Sequence, residues 1–335
     1  MPVGCITFEP TGPSMFRGPM EFTPTVRGPQ TLARTLTLPS PSTVAGSLAT
    51  LLIDKGISSP ARNPTDWEDA LELVLELGEE SCLKGPYLLV DEEIYVPFQD
   101  GVVKLEELVR AIKEADIEKL IHEGRSLDNI IMPMPLKRVE HVGIGLRRAT
   151  KAVERGFLYS ADFVDLPSTF PGRKVFIAVD VHGATALNNL SVIEDYVMRF
   201  GGEGKVVRIK VRERSYLWEE VGDMTAKVEQ HRALLYLISP ALLRTPLTSL
   251  VPITSAKAPM LVIDGFELEL LTGRIEILGA GFDILRGIRK PMYASLMSGS
   301  LLEAQIEQGS LVRLYRKGIS HIGNRLCYGT FIPIT

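Results

Sequence analysis

Residues 200–212 read Phe-Gly-Gly-Glu-Gly-Lys-Val-Val-Arg-Ile-Lys-Val-Arg, a glycine-rich break that leads directly into a strictly alternating strand. Successive side chains of a strand point to opposite faces, so one face is apolar and the other is basic. The basic set is Arg208, Lys210 and Arg212. We expect the apolar face to pack on helices and the basic face to meet solvent or phosphate. Edge strands also carry Lys and Arg to block aggregation, so this strand alone leaves both interpretations open.

Outward from this strand, the hydrophobic pattern predicts a strand–helix–strand–strand–helix–strand order, which is that of a ferredoxin-like unit. The six segments are 3–9, 40–54, 157–166, 174–181, 189–200 and 205–212. In this interpretation the second and third strands pair as a hairpin, and residues 55–155 form a large insertion.

Beyond residue 216 the sequence predicts mostly short strands, as in a degenerate copy of the first unit. These strands are 233–238, 260–264, 274–278, 292–297, 311–316 and 326–332. We therefore predict an α+β fold with a ferredoxin-like first domain and a second domain that is mostly β. The first domain covers residues 1–215 with its insertion at about 55–155, and the second, mostly β, covers residues 216–335.

The charge of this 335-residue chain is unevenly distributed, although its formal net charge is only −4. Seven acidic and no basic residues lie between Arg62 and Lys84, whereas residues 308–335 contain basic residues and no acidic one. Such segregation lets one surface attract phosphate while the whole chain stays acidic. We expect the acidic stretch to be a solvated helix. No apolar run has the length of a membrane span, and three scattered cysteines suggest neither disulfides nor a metal knuckle, so we expect a cytoplasmic protein.

Two backbone features could receive phosphates. Gly201, Gly202 and Gly204 would let amide groups approach an anion without a Cβ in the way, and Lys205 would add charge. A plain tight turn explains the same glycines. The second feature is the helix start at Ser42–Thr43, where the helix dipole favours an anion.

Residues 137–155 are rich in cations and contain six basic residues and only two acidic ones. Solvated surface is one explanation, and we favour phosphate contact. The proposed contacts are Arg147, Arg148 and Lys151.

The C-terminal block 317–331 combines three glycines with His321, Arg325 and two aromatic residues. This composition suits a loop that contacts phosphates and stacks bases, although simple strand–turn–strand packing is also possible. Candidate stacking residues here and upstream are Phe157, Tyr159 and Tyr328. His321 could act as a general base in RNA cleavage, but no known catalytic motif or carboxylate cluster accompanies it, so we expect neither catalysis nor a cofactor nor a metal.

Several segments together resemble the RAMP superfamily, in particular the family of the third subunit of the type III-B CRISPR (Cmr) effector complex, a group-five Cas-type protein. The segments are Phe16–Phe22 (with Arg17), Ser40–Leu48, Gly145–Ser160, Gly201–Lys205 and the C-terminal glycine block. They fall in the family's order across nearly the whole chain. Gly18 and Arg148 stand where the family's pattern has acidic residues.

The resemblance implies an α+β fold of two ferredoxin-like (RRM-like) domains with large insertions. It implies a non-catalytic subunit that binds the 5′ tag of the crRNA. It also implies docking on the large polymerase–cyclase subunit and on other Cmr RAMP subunits in antiviral defence. Two alternatives remain open at this point. One is a RAMP endoribonuclease that processes crRNA, and the other is a purely architectural subunit.

Overall fold

The structure is a computed structural model. It describes residues 3–18, 32–117, 119, 127–146, 150, 153–192, 196–225, 232–244, 260–263, 265–283, 288–307 and 309–334.

The largest element is an eight-stranded sheet in which every neighbouring pair is antiparallel. In spatial order its strands are β10 (Tyr196–Arg199), β11 (Val206–Arg212), β1 (Cys5–Pro10), β9 (Val175–His182), β3 (Cys82–Val90), β4 (Glu93–Phe98), β5 (Gly101–Lys104) and β6 (Met134–Pro135). Within this sheet, the four strands β11-β1-β9-β3 lie side by side.

One face of these central strands carries the apolar side chains of Phe8, Ile177 and Ile209, all buried in one core cluster. Helices that contribute to that cluster include α1 (Pro41–Asp54), α2 (Trp67–Leu75) and α5 (Thr185–Asn188). Helix α1 begins as predicted, because the Ser40 side chain accepts a hydrogen bond from the Thr43 amide and Pro41 occupies the first turn.

The predicted hairpin between 157–166 and 174–181 is wrong. Strand β9 pairs instead with β1 and β3. The 157–166 stretch belongs to β8 (Val153–Val164), which forms a separate three-stranded sheet with β2 (Leu32–Ala33) and β7 (Arg138–Leu146). Strand β3 is buried at every position and lies in the interior of the sheet, between β9 and β4. Its internal Gly85-Pro86, normally a sign of an edge strand or a bulge, conceals this role in the sequence.

The helix predicted at 189–200 is also wrong beyond its first residues. Helix α5 continues into a short 3-10 helix over Asn189–Val192, and the chain then enters β10. Strands β10 and β11 therefore form a hairpin, and the Gly201–Gly204 segment is its loop.

The second half of the chain forms a five-stranded antiparallel sheet. Its strands in order are β14 (Met260–Ile263), β15 (Phe266–Thr272), β20 (Leu301–Gln305), β12 (Arg232–Leu237) and β21 (Phe331–Ile334). The runs β11-β1-β9-β3 and β21-β12-β20-β15 have the same strand order. When the four strands of each run are numbered as they occur along the chain, both runs read four-one-three-two. The expected strand 311–316 is instead helix α7 (Ser310–Lys317), because Leu311, Leu314 and Tyr315 are buried at helical spacing.

In each half, the chain between the second and third of these four strands, counted along the sequence, also forms an additional antiparallel hairpin. In the first half it is the β7–β8 hairpin. In the second half it comprises β16 (Ile275–Gly279) with β19 (Met292–Leu296) and, further out, β17 (Phe282–Asp283) with β18 (Ile288–Arg289). Strand β13 (Ala241–Leu243) completes the sheet of β19 and β16.

The remaining helices pack around these sheets: α3 (Leu105–Glu114), α4 (Leu166–Thr169), α6 (Tyr216–Thr225) and a 3-10 turn at Leu127–Asn129. The α+β class with several antiparallel sheets is confirmed. In the part of the chain that the structure describes, no helix is both long and apolar enough to cross a membrane.

Candidate nucleic-acid interface

Strand β11 presents the basic face that its alternation predicts. Val207 and Ile209 are 1% and 2% exposed, whereas the side chains of Arg208 and Lys210 are 46% and 38% exposed. The third cation of the set, Arg212, forms an ion pair with Glu92 at 2.7 Å. Because β11 lies between β10 and β1, edge protection does not explain its cations.

Two features around this basic face were missed in the sequence analysis. Glu9 on β1 forms an ion pair with Lys210 at 3.0 Å and approaches Arg208 at 3.9 Å, so one carboxylate partly balances two cations. Arg199 on β10 is exposed and directly opposite Val206 in the register, which places it on the same face as Arg208. The sequence predicts a helix over 189–200, and a helix does not place Arg199 beside β11.

The glycine loop is built as a tight turn against the segment that precedes Arg17. Gly201 has a φ of 76°, and a Cβ there would lie 2.5 Å from the Met15 carbonyl oxygen. The Gly202 amide donates a hydrogen bond to that same oxygen at 2.8 Å. Gly204 has a φ of 66° with open space around it. The backbone conformation therefore requires Gly201 and Gly204, and the exposed side of the loop lies at Glu203–Gly204.

Lys205 follows the loop and lies against an aromatic pair on the β7–β8 hairpin. Its Nζ atom is 4.7 Å from the ring centroid of Phe163, which is within the range of a cation–π contact. Phe163 is 2% exposed, and its ring centroid lies 4.6 Å from that of exposed His141. The structure thus joins the glycine loop to the base of this hairpin.

Arg17 lies near the same loop. It forms an isolated antiparallel bridge with Thr35, directly after Met15 and Phe16, and its side chain is exposed. Arg138 at the start of β7 donates to the Thr35 carbonyl oxygen at 3.3 Å and forms an ion pair with Asp162 at 2.6 Å.

The proposed contacts Arg147, Arg148 and Lys151 lie outside the described residues. The two strands that lead to them are described up to the pair Leu146 and Val153. The side chains of Phe157 and Tyr159 lie outside the described part as well.

The helix start at Ser42 and Thr43 lies away from this surface and is largely occupied by the chain itself. Ser42 is 5% exposed, and its hydroxyl group is 3.1 Å from the Tyr328 hydroxyl group. Ser40 accepts a hydrogen bond from the Thr43 amide. Tyr328 is completely buried, so the idea that it stacks RNA bases is wrong.

The acidic stretch is also not a merely solvated helix, because two of its carboxylates hold the C-terminal glycine block. Glu68 accepts a hydrogen bond from the Gly323 amide, and Glu72 forms an ion pair with Arg325. Arg325 also donates to the Gly78 carbonyl oxygen at 3.0 Å. Burial raises the pKa of Glu68 and of Glu72, while nearby Arg325 lowers both. Arg325 is therefore engaged within the protein.

His321 is held by the second half of the chain. Its Nε2 atom lies 3.1 Å from the Val262 carbonyl oxygen, and its backbone amide donates to the Leu242 carbonyl oxygen at 3.0 Å. Within the described ranges, no group of three or more His, Cys, Asp or Glu side chains could hold a metal ion.

The predicted contacts that lie within the described residues therefore fall into two groups. The first, which we call the loop surface, consists of Arg17, Gly201, Gly202, Gly204, Lys205, Arg208 and Lys210, together with His141 and Arg199, which the sequence analysis missed. Along β11 the residues from Val206 to Lys210 span about 13 Å, at about 3.3 Å per residue. The second group, Ser42, Thr43, His321 and Arg325, adjoins the C-terminal block and bonds mainly within the chain.

Comparison with known proteins gives a consistent family. The sequence model described as CRISPR-associated protein (Cas_Cmr3) matches residues 103–317. A relative from Saccharolobus solfataricus, CRISPR system CMR subunit Cmr3, is 23% identical over 317 residues, covering 90% of this chain and 86% of its own length.

Two solved structures share the fold. A chain in the cryo-EM structure of the type III-B Cmr-beta complex bound to cognate target RNA has a TM-score of 0.62 at 20% identity, covering 98% of this chain and 96% of its own length. A chain in a second structure of that complex, with target RNA and AMPPnP, has a TM-score of 0.60 at 19% identity, covering 98% of both chains.

Proposed function

Because the chain belongs to the Cas_Cmr3 family of CRISPR-associated proteins, we propose that it binds RNA through the loop surface as a subunit of a type III-B effector complex. The RNA is the crRNA, and the part bound is its 5′ tag. The partners are the large polymerase–cyclase subunit and neighbouring RAMP subunits. The division into two ferredoxin-like domains, residues 1–215 and 216–335, belongs to the same proposal and is supported by the strand order that both halves share.

The observation that carries the proposal is the position of the cations on β11. Arg208 and Lys210 face outward from an interior strand that begins directly after the glycine loop and Lys205. Exposed cations in line with a backbone turn suit the regularly spaced phosphates of a single strand. The Glu9 carboxylate offsets only part of the charge of Arg208 and Lys210.

The geometry does not support the endoribonuclease alternative. A general base needs a ring nitrogen that can reach the substrate: Nε2 of His321 points to a backbone carbonyl oxygen, and Nδ1, the nitrogen left to accept a proton, is buried within the described part of the chain. We therefore propose a subunit without catalytic activity of its own.

The test measures RNA affinity as a function of salt. We expect the affinity of the full chain for a 16-nucleotide single-stranded RNA to fall steeply with salt concentration, because bound cations displace counterions. The double variant R208A/K210A should weaken binding and flatten the plot of log K against log salt by about 0.7 for each lost phosphate contact.

The matched control is R110A/K113A on α3, which removes the same charge from exposed positions outside the loop surface. If the two double variants change the slope equally, the effect is one of net charge, and the loop surface is not the RNA site. A purely architectural subunit would show weak affinity with no dependence on R208A/K210A.

A further inference from the structure

The β7–β8 hairpin carries an exposed imidazole fixed by a buried aromatic ring. His141 and Phe163 have ring centroids 4.6 Å apart with an angle of 39° between the ring planes. Phe163 is 2% exposed, and it clusters with Met15 and Ala161. His141 itself is exposed. The imidazole therefore rests on a rigid base and presents its remaining surface to solvent.

The side chain of Phe163 connects this imidazole to the glycine loop. Met15, which packs with Phe163, accepts the Gly202 amide hydrogen bond through its carbonyl oxygen. Lys205 contacts the same phenyl ring, with Nζ 4.7 Å from the centroid. A nucleotide whose phosphate lay at Lys205 could thus place its base near His141.

The adjacent charged side chain does not cover the imidazole. Glu140, the adjacent carboxylate, projects to the other face of β7, where it accepts a hydrogen bond from Ser160. In the register, His141 is opposite Ala161, which is small.

We propose that His141 is a base-stacking platform for a nucleotide of single-stranded RNA, with Phe163 as the residue that positions it. This inference rests on the proposed RNA-binding function. Histidine rings serve as stacking surfaces for unpaired bases, and a preformed ring orientation lowers the entropic cost of stacking. The geometry points to stacking and not to a phosphate contact, since the nearby cation for a phosphate is Lys205.

The experiment compares H141A and H141F in the full chain with the same 16-nucleotide RNA, carrying 2-aminopurine at successive positions. H141A should weaken binding by about 5- to 150-fold, the range expected for loss of one stacked base. The slope of log K against log salt should not change, because stacking neutralises no phosphate. H141F should retain most of the affinity, and 2-aminopurine at one position should be quenched by the wild type and H141F but not by H141A.

V142A is the matched control, since Val142 is 65% exposed on the opposite face of the same strand, and it should bind RNA like the wild type. Unchanged affinity in H141A, or a flatter salt slope, overturns the stacking role. If H141A does not fold, H141Q compared with H141F carries the same test. The two proposals fail separately: normal sensitivity to R208A/K210A with no effect at His141 removes only the stacking proposal.

Discussion

At the scale of single residues, a buried carboxyl group links the central sheet to α6. Asp180 on β9 is 2% exposed and accepts hydrogen bonds from the Tyr87 hydroxyl group at 2.6 Å and from the Trp218 amide at 2.7 Å. Burial outweighs these bonds and raises the pKa of Asp180 to about 6. Its folded-state pKa thus lies above the value of about 3.9 expected in the unfolded chain.

This raised pKa predicts a pH dependence of stability. Between about pH 4 and pH 6 the folded state holds a proton at Asp180 that the unfolded state has lost, so the free energy of unfolding falls as pH rises. The contribution is about 3 kcal/mol at most and is absent above pH 6. In the variant D180N this decline should be markedly smaller, leaving the part that comes from Glu68 and Glu72, whose pKa values burial also raises, as measured by urea unfolding at pH 4.5, 5.5 and 7.

The control for this prediction is D100N, because Asp100 is exposed on the turn between β4 and β5. It should keep the decline of the wild type. A D180N protein whose stability falls as steeply as that of the wild type over this pH range would contradict the assignment to Asp180.

At the scale of elements, α2 acts as a clamp on the C-terminal block. Trp67 packs edge-on to the ring of Tyr328, with centroids 6.1 Å apart, and donates a hydrogen bond to the Tyr293 hydroxyl group at 3.2 Å. Glu68 and Glu72 add the bonds to Gly323 and Arg325. The negative charge of this helix is thus partly used to hold a loop from the other end of the chain.

The clamp predicts a stability loss from a small change on α2. E72Q should lower the free energy of unfolding by about 1–3 kcal/mol, because it leaves the half-buried Arg325 guanidinium with a weaker partner. Thermal and urea unfolding measure the loss. E79Q, at an exposed position shortly after the helix, should have little effect, and equal losses in both variants would show that the ion pair contributes nothing specific.

At the scale of the whole molecule, the two halves share one core. The Tyr236 hydroxyl group donates to the Pro97 carbonyl oxygen at 2.6 Å, and the Gly85 amide donates to Thr330 Oγ1 at 3.3 Å. One buried cluster contains Phe176 of the first sheet together with Leu237 and Phe331 of the second. The two parts of the chain on either side of the proposed domain boundary near residue 215 therefore pack against each other through a continuous apolar contact.

Such a shared core predicts a single cooperative unfolding transition. The chain has two tryptophans, so W67F and W218F each leave one fluorescent reporter. Trp67 reports on the clamp, and Trp218 reports on the stack with His182, whose centroid is 4.3 Å away. Each variant should show the same urea midpoint by fluorescence as by circular dichroism. A fluorescence midpoint that differs from that of circular dichroism would show that the halves unfold independently.

Local patterns in the sequence determined the features that depend on near neighbours. The alternation of 205–212 predicted which side chains of β11 face outward, and Ser40-Pro41 predicted the start of α1. The family resemblance, which depends on the order of short motifs, was also available from the sequence and is confirmed by the family match.

Only the tertiary structure decided which distant segments meet. Strand β9 pairs with β1 and β3, the carboxylate of Glu68 meets an amide 255 residues away, and the ring of His141 rests on Phe163. Local periodicity reports which face of an element is buried but not what covers it. The loop surface and the clamp therefore emerge only when the chain is folded, because their geometry is set by packing between segments far apart in sequence.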